Sequence, residues 1–205
     1  MTDANPAAPA AHPDLGPQTR VVARLAAGVP DDRLEDPTPC EGMAVRHLLG
    51  HLAGLTVAFR DAGRKDLGPT TGTDPNSAPR PDIGPGWREE LARRLPELAE
   101  AWHDPAAWEG DTQAGGVALP AAVAGRVALN ELVLHGWDLA RATGRPYEPD
   151  DEALRVSYDL LAATPGGPAR EGMFGPVVAV PEDAPLLDRV AGLSGRDPGW
   201  TPPGR

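Results

Sequence analysis

The stretch PAAVAGRVALNELVLHGWDLARA at 120–142 is apolar for most of its length, and into it are set Glu131 and His135. Four residues apart on a helix, they share a face, one turn above the other. An unpaired carboxylate in such a setting costs several kcal/mol or shifts its pKa, so Glu131 needs a partner. HLLGHLAG at 47–54 repeats the oddity, with His51 among Leu48, Leu52, Ala53 and Leu55. Two antiparallel helices of a bundle can bring His51 opposite the Glu131/His135 pair. Two imidazoles and a carboxylate form a three-ligand set for a divalent metal. Such a set leaves coordination positions open, as catalytic rather than closed structural sites do. The same spacing also serves a plain helix-surface Glu–His pair, or a histidine packed in a core. No motif as specific as HExxH is present, so the residues alone leave both readings open.

Neighbouring residues receive smaller roles. His47, four residues before His51, is either a fourth ligand or, as the preferred reading, a solvent-facing or supporting residue. Asp138, three residues beyond His135, either orients a ligand or a bound water, or is a carboxylate paired with Arg141 one turn on or satisfied by a neighbouring helix. Trp137 lies about 200° around the helix from His135 and is assigned to packing. Cys40 is read as a small buried hydrophobe without a catalytic role, away from the ligands. Arg196 and Trp200, in GRDPGW, are expected to dock the C-terminal tail onto the bundle.

The elements that must position these residues follow from periodicity and breakers. Residues 1–13 are small, polar and proline-punctuated, and read as a disordered tail. Apolar residues at helical spacing predict a first helix over 14–28 and a second over 43–63, the latter carrying His51. Residues 64–86 hold five prolines and four glycines and predict a long irregular loop, a candidate substrate-side wall. A third helix is predicted over 87–103 with a kink at Pro96. Connector follows over 104–118. The fourth helix spans 120–143, with Pro120 in its first turn and Gly144 as its stop. A fifth is predicted over 150–163, PVVAV at 176–180 as a short strand, and a last short helix over 184–193. The fold class is all-α, with four main helices in a bundle and extra pieces outside it.

Composition narrows the function classes. The 205 residues carry a formal charge of −11 with no basic run, which argues against a phosphate-neutralising nucleic-acid surface. No stretch approaches the roughly 20 apolar residues of a membrane span, and no leader follows Met1. A single cysteine excludes a disulfide framework or a Cys-rich zinc ribbon. A soluble protein of the reducing cytoplasm is expected. Lys65 stands alone against 18 arginines, and Ile83 is the one isoleucine. That skew has the character of a GC-rich genome such as an actinobacterial one. No long heptad run demands an obligate coiled coil.

Three blocks carry a family resemblance. TPCEGMAVRHLLGHLAG at 38–54 resembles the first signature of the mycothiol-dependent maleylpyruvate isomerase N-terminal family, a DinB-like metal-binding bundle. ALNELVLHGWDLARATG at 128–144 resembles its second signature, and HGWDLARATG is the most specific part. FGPVVAVPEDAPLLDRVAGLSGRDPGW at 174–200 is similar to the ending of a subgroup of short actinobacterial members. The resemblance implies a DinB-like four-helix bundle over 14–205 with His51, Glu131 and His135 as ligands of a divalent metal. Two departures stand out: Met43-Ala44 replaces the family's usual Trp-Thr, and His47 stands where an Asp usually follows the Arg. The full-length isomerase has a second domain that contributes to substrate handling, for which 205 residues leave no room.

The implied function is a metal- and small-thiol-dependent transferase or isomerase, using mycothiol on an electrophilic small molecule. Zinc suits this donor set, with nickel, iron or manganese as alternatives. Two other functions are compatible with the same residues: a metal-dependent hydrolase, and a non-catalytic bundle stapled by its metal.

Overall fold

The computed structural model describes residues 12–74, 80–164 and 174–203. Seven α-helices appear among them: α1 (Gly16–Ala27), α2 (Val45–Arg64), α3 (Pro69–Gly72), α4 (Trp87–Ala101), α5 (Ala121–Thr143), α6 (Asp151–Ala163) and α7 (Leu186–Leu193). A short hairpin, β1 (Asp111–Ala114) and β2 (Val117–Pro120), precedes α5. Helices α1, α4, α2 and α5 form a ring in that spatial order, each packed on its two neighbours. This is the expected all-α four-helix bundle. Helix α6 lies on the outside of α5, and α7 packs on α6.

Helix α5 is wrapped by α1, α2 and α6, and from Ala128 to Ala140 every residue but Glu131 is buried. A helix apolar on all sides belongs in such a place, since no face suits solvent. Its ends are fixed locally. Pro120 precedes its first turn, and Gly144 closes it at φ 69, in the left-handed region that glycine enters freely. Asp150 caps α6 by accepting from Glu152 N and Ala153 N. Helix α4 runs unbroken through Pro96, whose ring lies on the exposed face.

The expectations fail in three places. The expected connector at 104–118 contains a 3-10 turn, Pro105–Trp108, and the first strand of the hairpin. Gly115 and Gly116, at φ 59 and 80, form the two-residue turn whose twist matches paired strands. The segment 176–180, expected as a strand, joins no ladder among the described residues; Val178 N donates to Gly192 O at the end of α7. Prolines at 176 and 181 bracket it, and α7 rather than a strand lies alongside. The expected tail also ends earlier than position 13, because Pro13 is buried and His12 stacks on Trp108 at 4.8 Å. Residues 1–11 lie outside the described residues, as do 75–79 of the expected loop.

The rest of that loop has structure. After α3, the chain returns at 80–83 to cross α2 at Gly50, so closely that a Cβ there would meet the Asp82 backbone at 2.6 Å. Arg46 holds the crossing by pairing with Asp82 at 2.6 Å. The returning chain therefore lies over the side of α2 that carries Arg46 and Gly50. Among the described residues no helix is long and apolar enough to cross a membrane.

Candidate metal centre between α2 and α5

Helix α5 places Glu131 and His135 on the face turned to α2, and α2 supplies His51 from across the interface. Glu131 Oε2 is the meeting point, 3.0 Å from His135 Nε2 and 3.5 Å from His51 Nε2. The two imidazoles meet edge to face with centroids 4.8 Å apart. One donor atom from each residue falls within 4.8 Å of the others. Donors sharing a tetrahedral zinc at its usual bond lengths lie about 3.3 Å apart, close to both distances to Oε2. Side-chain exposure is 28% for His51, 24% for Glu131 and 9% for His135, so the cluster is open on one side.

Behind His135 stands a second tier. Its Nδ1 donates to Asp138 Oδ2 at 2.9 Å, and Asp138 is fully buried. This leaves the Nε2 lone pair facing the Glu131 carboxylate. Two lone-pair donors cannot rest 3.0 Å apart with nothing between them; a proton or a cation must fill the gap. With a proton there, Glu131 and His135 form a charge-assisted pair. Burial alone would raise the Glu131 carboxyl, but hydrogen bonds from His135 and His51 outweigh it and hold the group well below the usual carboxylate range. Burial would lower His135, yet its bonds to Asp138 and Glu131 push it up to about 9. The donor set is thus one that a cation suits, with His135 held by an outer carboxylate as metal-bound histidines commonly are.

A family profile described as the mycothiol maleylpyruvate isomerase N-terminal domain matches residues 15–140. The chain belongs to this family. Two Mycobacterium tuberculosis relatives, one from strain CDC 1551 / Oshkosh and one from strain ATCC 25618 / H37Rv, are both named as uncharacterized proteins. Each is 28% identical over 181 residues, 85% of this chain and 91% of theirs. Among solved structures, a histidine-to-alanine mutant of the mycothiol-dependent maleylpyruvate isomerase superposes with a TM-score of 0.50 at 16% identity. That match covers 70% of this chain and 65% of the isomerase, so the chain spans about two thirds of that enzyme's length. At that identity it shows the shared fold.

Ala44, at the N-cap of α2, has no side-chain oxygen to cap the first turn. His47 takes over part of the task, its Nδ1 accepting from Ala44 N at 3.2 Å. His47 is thus occupied in the first turn of α2, as the N3 partner of a capping box would be. Asp138 pairs with His135 and not with Arg141, whose guanidinium sits over Trp137 and donates to Pro198 O. Trp137 packs, as expected.

Two assignments change. Cys40, expected away from the ligands, has its Sγ within 4.8 Å of donor atoms of His135 and Asp138. Thr38 brings it there by tying the loop before α2 into a turn, its hydroxyl donating to Met43 O at 2.8 Å. Burial, with Asp138 and Glu131 nearby, pushes the Cys40 thiol up to about 11, so it is protonated at neutral pH. Arg196 does more than dock the tail. It reaches Asp138 with Nε at 2.6 Å and Nη2 at 2.7 Å. No sequence signal near either residue announces that contact.

Proposed function

We propose that the protein is a divalent-metal enzyme of thiol chemistry. His51, Glu131 and His135 hold the ion, and mycothiol is presented to an electrophilic small molecule for transfer or isomerisation. The observation that supports this reading best is the gathering of the His51, Glu131 and His135 donors into one cluster, inside the family's matched stretch and open on one side. A bound zinc, or nickel, iron or manganese in its place, would lower the pKa of a coordinated thiol and hold it as a nucleophile near neutral pH.

The chain's own residues do the rest. Asp138 fixes the His135 ring and keeps Nε2 as the nitrogen facing the cluster. Glu131, held ionised, supplies the negative charge that a dication needs. His51 enters from α2 on the more exposed side, where the 80–83 segment crosses Gly50 and makes an adjoining wall. Cys40 lies beside His135 and Asp138, where burial pushes its thiol up to about 11 in the metal-free chain. Use of a small cellular thiol puts the enzyme in the reducing cytoplasm, in keeping with a lone free cysteine.

Metal analysis of the purified protein should find close to one divalent ion per chain. Cobalt placed in the site should then gain a sulfur-to-metal charge-transfer band when mycothiol is added. Because Cys40 lies close enough to contribute a sulfur, the measurement belongs in Cys40→Ser as well as the native chain. A spectrum unchanged at saturating thiol, with turnover of an ester, would replace this reading by the hydrolase. No turnover of any electrophile or ester, with or without thiol, would leave a metal-stapled bundle.

A further inference from the structure

Asp138 is a fully buried carboxylate that belongs to no donor set around Glu131, yet three hydrogen bonds converge on it. One comes from His135. The other two come from Arg196, whose Nε and Nη2 grip both oxygens in the planar fork that guanidinium and carboxylate make together. The Arg196 Nη1 is tied in turn to Ser194 Oγ at 3.1 Å.

The end of α7 aims this arginine. Arg196 N donates to Ala191 O at 2.9 Å and Gly195 N to Gly192 O at 3.0 Å, the paired bonds of a Schellman stop. Gly195 sits at φ 87, and a Cβ there would also meet the Gly175 backbone at 2.7 Å. The chain can therefore turn inward at this point only with glycine, and the next residue is delivered to Asp138.

A carboxylate held by His135 alone can rotate about its own bond. The fork removes that freedom and sets the plane in which the Nδ1 hydrogen bond is made. We propose that Arg196 is a positioning residue for the metal centre. Through Asp138 it fixes the ring and tautomer of His135, so that α7, which lies beyond the stretch matched by the family, helps to set metal affinity. The inference rests on His135 being a ligand, as proposed above.

The test uses the full chain with Arg196→Met, which keeps the aliphatic bulk, and Arg196→Gln, which keeps a donor without the fork. Asp138→Asn is the reference. Zinc affinity is read by competition with a chromophoric chelator, and the His135 Nδ1–H signal by proton–nitrogen NMR. Supporting partners of ligating histidines are worth about 10–100-fold in metal affinity. Arg196→Met should lose an amount in that range, and its His135 Nδ1–H signal should move upfield and exchange faster. Adding Arg196→Met to Asp138→Asn should cost little more, since both act through one carboxylate. Native affinity together with an unmoved Nδ1–H signal in Arg196→Met would overturn the inference; if that variant does not fold, the same result in Arg196→Gln would do so. If the native chain binds no zinc, the metal reading fails instead, and the NMR signal of the metal-free variants still decides whether Arg196 orients His135.

Discussion

Helices α2 and α5 lie side by side, and where one end of the pair holds indole rings the other holds charges. At the first end, Gly63 of α2 and Gly125 of α5 face Trp102 and Trp108, whose rings meet at 70° with centroids 5.0 Å apart. Both indole N–H groups are satisfied by backbone oxygens, Trp102 by Phe59 O and Trp108 by Trp102 O, each at 2.8 Å. At the second end His51, Glu131, His135, Asp138 and Arg196 form a continuous polar chain from the opening to the buried interior. The indole end is buried, and its polar N–H groups are satisfied within the chain. The charged end is complete only with a proton or cation between its donors. Stability should therefore be concentrated at one end and metal binding at the other, although the same two helices build both.

The sharpest way to break this contrast is to damage one end and read the other. Trp108→Ala removes a buried indole and should lower unfolding free energy by about 3–5 kcal/mol in denaturant titration. The folded fraction should still bind metal at its native stoichiometry. Equal loss of metal and stability would show that the two ends are one unit.

The reciprocal experiment acts on the charged end. His51→Ala or His135→Ala should drop bound metal from near one per chain to a small fraction, measured by elemental analysis. Helical circular dichroism should stay in place, because a core of this size does not depend on an ion for folding. Chelating the native protein should likewise lower only the melting temperature, through binding linkage.

Gly125→Ala is a finer probe of the indole end. The added Cβ would come within 2.5 Å of the Trp108 ring, an overpacking that should cost about 1–3 kcal/mol. A melting temperature equal to the native one would mean that the ring has room to move.

pH should separate the ends without mutation. In metal-free protein the folded pKa of His135, about 9, lies above its reference value of 6.5. Its stabilisation is complete below pH 6.5 and lost as pH climbs through about 9. Glu131 runs the other way: its folded pKa is depressed, so its contribution is present above its reference value of 4.5 and fades as pH falls toward the folded value. Unfolding free energy with chelator present should thus decline from pH 6.5 to 9, whereas metal affinity should rise over that range as the His135 proton is expelled. A metal-free stability that stays flat over that window would contradict the protonated bridge.

The smallest effect is expected at His47. His47→Ala removes the acceptor for Ala44 N and should cost about 0.5–1.5 kcal/mol, with metal content unchanged. Metal loss as complete as in His51→Ala would make His47 a ligand after all.

Local rules sufficed for much of this. The 3.6-residue periodicity of α2 and α5, the proline that opens α5 and the glycine that closes it are properties of a few neighbouring residues. So is the shared face of Glu131 and His135, which i,i+4 spacing fixes once the helix forms. The Gly115-Gly116 step is also a local turn signal, although strands of four residues leave little alternation on either side of it. Contacts made across the bundle are of another kind. His47 and His51 share a face of α2 one turn apart, so which of them lies level with Glu131 depended on how far α2 is displaced along α5. Cys40 reached the site through a turn held by Thr38. Arg196 reached it over 58 residues of chain, by way of a helix stop whose glycine marks where α7 ends but not what lies opposite. Periodicity and capping are written into the sequence because their energies are local. Partners that meet across helices are decided by packing, where each side chain's position depends on all the others.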